Sequence, residues 1–539
     1  MVCDKTINIL NYFLKKQFGG GKRKWTTLLH NGLIFPPEYN PHGILLKYKN
    51  ELITIPSVAE EYAMIYVKYF DTDYIKNKYF NKNFWNDWKK LLGSESPIES
   101  LEDCDFTEYY NKYHEMKKCK NQDNKEKKQK LNEKYKTALV DGKEQEINNY
   151  YVEPPGIFIG RGNNPLIGKI KKRLYPEDFV INIGKNVPIP ETLPNHQWKD
   201  VIHNRYVEWI ASWEDSITKK IKYIWLSSSS DFKANNDFKK FELARKLKKK
   251  IKKIIEVNTK NLHSNDLKIK QLSTALYFID KLALRVGNEK SSDEADTVGC
   301  TTLRLEHIEL NGNTLTLDFL GKDSVRYYNS LIVDDIVRDN IKIFIAGKEK
   351  YDQLFNLIDS NDINVYLQTF AKNITAKLFR TFRASMMFQK EIKKINNKFC
   401  NQTPSLENLL ELYNIASLKV AKYLNHQKNV AGQHKEQIEK INNMIKKERT
   451  KLRKQKGKHR KNNEKINKIK DKIKKLKSKK ILKEQMKNIS LGTSRQNYID
   501  SRITISFMKK YNIPVEKLFT VTLQKKFKWA FDVDENYRF

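Results

Sequence analysis

Cysteine is scarce: Cys3, Cys104, Cys119, Cys300 and Cys400 are the only five in 539 residues. They lie far apart and form no CxxC pair, so neither a disulfide framework nor a structural zinc site is expected. A reducing compartment follows. No histidine sits in an HExxH arrangement, which excludes that zinc-hydrolase motif. Long apolar runs are missing too. Nothing approaches the roughly 18 residues a spanning helix needs, and Ile7 to Leu14 is broken by Asn8 and Asn11 and carries no cleavage signal. A soluble protein without a membrane partner is the expectation. Acidic residues are the last shortage: 64 Asp and Glu face 102 Lys and Arg, a formal charge of +38. A field of that sign attracts a polyanion, and nucleic acid is the first candidate.

A phosphate-binding loop is also lacking. The stretch EPPGIFIGRGNNP, from Glu153 to Pro165, has glycines that permit close backbone approach. Gly162 and Gly168-Lys169 nevertheless have the wrong spacing for a P-loop, and Ile170 stands where Ser or Thr would hold magnesium. No ATP site is expected.

What is present is enough for three or four domains with cores of their own, since 39% of the residues are apolar. After the basic entry GGGKRK, order is expected from Trp25, and Gly32 to Pro37 reads as a strand running into a rigid turn. From Ser57 to Leu92 the residues Tyr62, Ile65, Tyr66, Tyr69, Phe70, Phe80, Phe84 and Trp88 recur at helical spacing, predicting two or three packed helices. Residues 115–136 read as one long solvated helix with a lobe boundary near residue 122. Tyr206 to Ile210 and Ile221 to Leu226 read as strands of a β-rich lobe. From residue 231 the pattern turns helical, interrupted by a hairpin of Thr314 to Leu320 and Val325 to Tyr328 around Gly321-Lys322-Asp323.

Residues 431–490 hold 23 Lys and Arg against 6 Asp and Glu. Ile438, Ile441, Ile445 and Leu452, then Ile466, Ile469, Ile473 and Leu476, mark two narrow apolar seams on either side of Gly457. An antiparallel coiled-coil hairpin with a basic exterior is the expectation. It can lie beside a duplex and slow its motion by charge.

The chemistry-bearing stretch is LGTSRQNYIDSR, Leu491 to Arg502, which sets Tyr498 among polar groups and cations. A phenol with a pKa of about 10 is a poor nucleophile until cations stabilise the phenolate or the charge its attack creates. Breaking a phosphodiester also needs bidentate cations for the nonbridging oxygens and a proton for the departing oxygen; arginine suits the first task and lysine the second. Arg285 ends an otherwise apolar helical face in FIDKLALRVGNEK, Arg380 sits among apolar neighbours in TAKLFRTF, Lys322 is at the hairpin tip, and His426 lies in LNHQ. Singly, each is better explained as a salt-bridged arginine, a solvated lysine or a capping or core histidine.

In the order Arg, Lys, Arg, His, Tyr, these words, with EPPGIFIGRGN, ADTVGC and DFLGKDSVRYYN, resemble the active site of the eukaryotic type IB DNA topoisomerases, from about Trp25 to Phe539. The resemblance implies an α+β multidomain clamp. Mixed N-terminal cap and β-rich lobes would face a mainly α-helical catalytic lobe of the tyrosine recombinase and type IB topoisomerase kind, with a coiled-coil linker. The expected division is 1–22, a flexible basic N-terminus; 23–37 with 123–230, the β-rich lobe; 38–122, the helical cap; 231–430, the catalytic core; 431–487, the linker; and 488–539, the segment bearing the tyrosine.

The resemblance further implies ATP- and metal-independent relaxation of both signs of supercoil through a 3′-phosphotyrosine intermediate, with no cofactor required. Tyr498 would be the nucleophile, Lys322 the general acid, and Arg285, Arg380 and His426 the ligands of the nonbridging oxygens. Double-stranded DNA would be the partner of a monomer clamped around it, contacted by Arg161, Trp209, Lys222, Tyr223, Lys240, Asn288, Lys290, Thr297, Asn364, Thr375, Lys377 and Asn497. Camptothecin-type poisons would meet Arg161, Asp323 and Asn497. The nucleus is the implied location, with a viral or other reducing intracellular compartment as the alternative.

The sequence departs from the family pattern at Ile159, Arg495 and Ser501, where arginine, lysine and proline are usual, and its basic arm is shorter. Relative to the nuclear enzymes a missing long charged N-terminal region is the expectation, and nuclear import stays an open expectation with it. Two rival readings stay open: a site-specific tyrosine recombinase, against which Lys377 stands where recombinases usually carry His, and a DNA-coating protein without catalysis.

Overall fold

The computed structural model describes residues 23–119, 125–290, 294–400, 404–428, 433–457 and 463–539. The chain is mixed α/β, with long helices and several small sheets. It divides into two compact units: the described residues up to Asn236 with Lys290–Asp296, and Asp237–Glu289 with Thr297–Phe539. The expected entry segment 1–22 and the boundary at residue 122 lie outside the described residues.

The first unit has two apolar clusters. One is built on the helices Ser57–Tyr66 and Lys78–Leu92, the pair that the aromatic spacing predicts. Phe80, Phe84 and Trp88 are fully buried at i, i+4 and i+8, and Tyr66 stacks on Phe84 with ring centroids 4.2 Å apart. Asn77 starts the second helix by accepting the Tyr79 and Phe80 N–H groups, a cap worth about 1 kcal/mol. The other cluster lies against a four-stranded sheet. In it Val180–Asn182 pairs parallel to Asp200–Ile202 and antiparallel to Trp209–Glu214, which pairs with Ile221–Trp225.

Two local expectations change here. Gly32 to Pro37 is not a strand: only Ile34 makes a bridge, to Tyr151, because Pro36 and Pro37 have no N–H to offer a ladder. The helix expected over 115–136 is helical on both described stretches, Thr107–Cys119 and Lys125–Tyr135, and residues 120–124 between them lie outside the described residues. The strand expected from Tyr206 begins at Trp209.

The main apolar cluster of the second unit comes from the helices Leu267–Leu282, Ala376–Lys398, Leu406–Tyr423 and Ser501–Lys510 and includes the ring of Tyr498, and a small second one joins Leu418, Ala421, Ile489 and Leu491. The hairpin Thr314–Gly321 and Val325–Ile332 closes at Gly321 opposite Val325, with Ile308–Asn311 on its other edge. Leu315, Leu317 and Phe319 alternate inward. The helices His434–Lys456 and Asn463–Gln485 pack on each other, burying Ile441, Ile445, Ile466 and Ile473. Glu448 sits between Lys451 at 3.0 Å and Lys472 at 2.9 Å across that seam.

Candidate active site

The segment that carries Tyr498 is held from both sides. The short helix Leu491–Asn497 ends there, and the N–H groups of Tyr498 and Ile499 both donate to the Ser494 carbonyl at 3.0 Å. Ser385, on the helix Ala376–Lys398, donates its hydroxyl to the Tyr498 carbonyl at 3.1 Å and accepts the Asp500 N–H at 3.1 Å. Asp500 caps the next helix, and the Arg502 guanidinium grips its carboxylate at 2.7 Å while also reaching Glu242 at 2.6 Å. On the other flank Lys240 donates to the Asn497 carbonyl at 3.2 Å and pairs with Asp237 at 2.7 Å. Lys526 donates to the Gln496 carbonyl at 3.4 Å.

Arg380 arrives on the Ala376–Lys398 helix, 3% exposed, with its guanidinium 5.1 Å from the centre of the Tyr498 ring. One terminal nitrogen donates to the Leu424 carbonyl at 2.9 Å, while Nε has no partner among the described residues. His426 follows the helix Leu406–Tyr423, and its ring centroid is 5.0 Å from that of Tyr498. Its Nδ1 is 2.7 Å from the Ser494 hydroxyl, and its buried Nε2 has no partner among the described residues.

Arg285 comes from a different kind of element than its apolar neighbours suggest. The helix stops at Leu282, Ala283 adopts a left-handed conformation with φ 51°, and Arg285 lies on the loop beyond. That loop is pinned by the Cys300 N–H, which donates to the Arg285 carbonyl at 2.8 Å. Two glycines cross at the pin: Gly287 has φ +94°, and a Cβ on Gly299 would meet the Gly287 Cα at 2.4 Å. Only glycine fits there. Lys322 is exposed at the tip of the hairpin, where Asp323 and Ser324 have φ of 68° and 56° and turn the chain back.

Arg285, Lys322, Asp323, Arg380 and His426 line one cavity of about 110 Å³, against which Tyr498 packs through His426 and Arg380. The electrostatics follow from that grouping. Burial raises the Tyr498 pKa, but the charges of Arg380, Arg285 and Lys377, with a hydrogen bond from Arg285, outweigh it and bring the phenol below its usual value. Burial, then the charges of Arg380 and Arg285, push His426 down to about 3, so the imidazole is neutral at neutral pH. Burial also holds the Arg380 guanidinium below its ordinary value. The arrangement can hold a tetrahedral anion and promote attack by a phenolate on it.

Other residues singled out in the sequence fall in both units. In the second, Lys377 is exposed one turn before Arg380, Thr375 precedes that helix, and Asn364 accepts the Ala376 N–H at 3.1 Å. Asn497 is exposed beside Tyr498, Asn288 is exposed on the Arg285 loop, and Thr297 is half-buried. Burial lowers the Lys240 pKa despite Asp237. In the first unit Arg161 is exposed, and Lys222 is paired with Asp215 at 2.6 Å and Glu153 at 3.1 Å. Trp209 is 3% exposed, with its ring 5.5 Å from that of Tyr223. Lys290 pairs with Glu294 at 3.9 Å.

Ser494, Ser385 and Lys526 are not foreseeable from composition, yet Ser494 carries a signal: it lies four residues before Tyr498, the spacing that shares a helical face. Among the described residues no group of three or more His, Cys, Asp or Glu side chains could hold a metal ion, and no helix is long and apolar enough to cross a membrane.

Three family models match successive stretches of the chain. They are eukaryotic DNA topoisomerase I, DNA binding fragment, over residues 23–226; eukaryotic DNA topoisomerase I, catalytic core, over 229–462; and the C-terminal topoisomerase domain over 470–539. DNA topoisomerase 1 alpha of Arabidopsis thaliana is 41% identical over 97% of this chain and 60% of the relative. DNA topoisomerase 1 of Caenorhabditis elegans is 39% identical over 96% of this chain and 68% of the relative, and that of Homo sapiens 36% over 96% and 72%. The chain thus spans about 60% of the length of the plant relatives.

Proposed function

The chain belongs to the eukaryotic DNA topoisomerase I family, and from that footing we propose that it is a type IB DNA topoisomerase acting on duplex DNA. It relaxes supercoils of either sign through a transient break in one strand. The observation that carries this reading is the pair of buried nitrogens without partners among the described residues, Arg380 Nε and His426 Nε2, on side chains that line one cavity with Arg285 and Lys322 beside the Tyr498 ring. Unsatisfied buried polar groups are costly, and an anion that accepts from both relieves that cost.

In the cleavage step the Tyr498 oxygen gives its proton to solvent and attacks the phosphorus. The bond from phosphorus to the 5′ oxygen breaks, and Lys322 supplies the proton that makes the leaving group a 5′ hydroxyl. Arg285, Arg380 and the neutral imidazole of His426 donate to the nonbridging oxygens where charge builds up; removing one such donor typically costs about 100- to 1,000-fold. The phosphotyrosine ester keeps the energy of the broken bond. Religation is therefore the same exchange in reverse, and neither ATP nor a metal is assigned a step.

Around this centre we assign duplex contacts to Arg161, Trp209, Lys222, Tyr223, Lys240, Asn288, Lys290, Thr297, Asn364, Thr375, Lys377 and Asn497. The lobe division 38–122, 23–37 with 123–230, 231–430, 431–487 and 488–539 and a monomeric clamp around DNA belong to the same proposal, as do nuclear location and a camptothecin-type site at Arg161, Asp323 and Asn497. A coiled-coil linker is supported by the buried seam of Ile441, Ile445, Ile466 and Ile473. The test is relaxation of positively and negatively supercoiled plasmid in EDTA without ATP. Wild type relaxes both and Tyr498→Phe neither; a wild type that binds plasmid without changing its linking number refutes the proposal.

A further inference from the structure

We propose that Ser494 is a positioning residue: its hydroxyl fixes His426 in the tautomer with the proton on Nε2, so that the imidazole faces the cavity as a hydrogen-bond donor. The inference rests on the transesterification reading above and concerns the same site.

Ser494 is fully buried, and among the described residues its hydroxyl has a single partner, the His426 Nδ1 at 2.7 Å. A buried hydroxyl must place its proton on an acceptor. Nδ1 is the acceptor within reach, so the serine donates and the Nδ1 lone pair receives. In a neutral imidazole the remaining proton then sits on Nε2. Neutrality is supported by burial and by the charges of Arg380 and Arg285, which keep the ring from taking a second proton.

The opposite tautomer leaves the serine proton without an acceptor and presents the Nε2 lone pair to the cavity. A lone pair there repels a phosphate oxygen, whereas an N–H binds it, so the proton position decides whether the ring helps or hinders. Nε2 is buried, has no partner among the described residues and belongs to a residue that lines the cavity with Arg285, Lys322 and Arg380. An N–H at that position is a donor held ready for a ligand.

Backbone contacts add precision. The Ser494 carbonyl takes the Tyr498 and Ile499 N–H groups at 3.0 Å, and the His426 carbonyl takes the Ser490 N–H at 2.7 Å. One residue therefore sets the backbone that carries the phenol and the face of the imidazole beside it. Any shift of the helix Leu491–Asn497 moves both together.

Two measurements test the proposal. In protein labelled with 15N-histidine, the resonances lost in His426→Gln identify His426 in the otherwise unaltered wild type. They are expected to report a bare Nδ1 and a protonated Nε2; a protonated Nδ1 overturns the proposal, and this readout does not depend on a serine variant folding. The second is single-turnover cleavage of a duplex oligonucleotide. Ser494→Ala is expected to slow cleavage roughly tenfold, the loss of about one hydrogen bond, with duplex affinity unchanged. In a His426→Gln background, where no tautomer exists, Ser494→Ala is expected to cost nothing more; an equal loss in both backgrounds refutes a role through the imidazole. A wild type that forms no covalent adduct refutes the transesterification reading instead, and the nitrogen spectrum still decides the tautomer.

Discussion

The Arg380 guanidinium lies 5.1 Å from the centre of the Tyr498 ring and keeps one nitrogen, Nε, without a partner among the described residues. It therefore has one terminal nitrogen committed to the Leu424 carbonyl and further N–H groups for charge beside the phenol. Arg380→Lys is expected to lower single-turnover cleavage by about 100-fold or more and to leave the melting temperature nearly unchanged, because an ammonium keeps the charge but lacks the fork. Rapid-quench cleavage of a duplex oligonucleotide, read beside a melting curve, checks this.

Lys322 stands exposed at the hairpin tip and lines the same cavity. If it protonates the leaving oxygen, Lys322→Ala slows cleavage by about 100-fold or more on an ordinary phosphodiester. A substrate with sulfur in place of the 5′ oxygen leaves without a proton, so on that substrate the variant should match wild type. Equal losses on both substrates remove Lys322 from the role of acid.

Acid should destabilise the first unit through His30. Its Nδ1 accepts the Gly32 N–H at 3.2 Å and its Nε2 faces the Asn182 carbonyl at 3.1 Å, and burial lowers its pKa to about 4 against a weaker opposing effect of that carbonyl. The folded pKa lies below the unfolded one of about 6.5, so the unfolded chain binds the extra proton first. The stabilisation is complete above pH about 6.5 and is lost as pH falls through about 4, amounting to roughly 3 kcal/mol. Urea midpoints of wild type against pH should show this fall, and His30→Gln should flatten it.

Gly299→Ala is expected to destabilise the second unit by about 1–3 kcal/mol, since the new methyl would overlap the Gly287 backbone. The Arg285 loop must shift to make room, so cleavage should fall further than stability alone explains. Thermal melting and cleavage measured on one preparation separate the two effects.

The legible parts of this molecule are those with a local period. Phe80, Phe84 and Trp88 announce their helix through spacing, and Leu315, Leu317 and Phe319 announce their strand through alternation. The paired prolines at 36 and 37 defeat a strand that apolar content alone suggests. Arg285 misleads for a different reason: its apolar neighbours continue the helical pattern, yet Ala283 turns left-handed and the Gly287–Gly299 crossing diverts the chain. That crossing is a tertiary contact with no local signature. The five residues Tyr498, Arg285, Lys322, Arg380 and His426 are readable only as words of a known family, because each alone looks structural. Ser494 illustrates what lies beyond such reading, since its partner His426 reaches it only through the fold.

The central claim is a covalent bond between Tyr498 and a DNA 3′ end. The most direct measurement is to stop a reaction of wild type with duplex DNA by adding denaturant, digest the product with nuclease and protease, and map the nucleotide-bearing peptide by mass spectrometry. The account predicts a 3′-phosphonucleotide on Tyr498, within the peptide that begins at Gln496 after cleavage at Arg495, and no adduct from Tyr498→Phe. A wild type that binds the duplex yet yields no modified peptide, or an adduct on another residue, contradicts it.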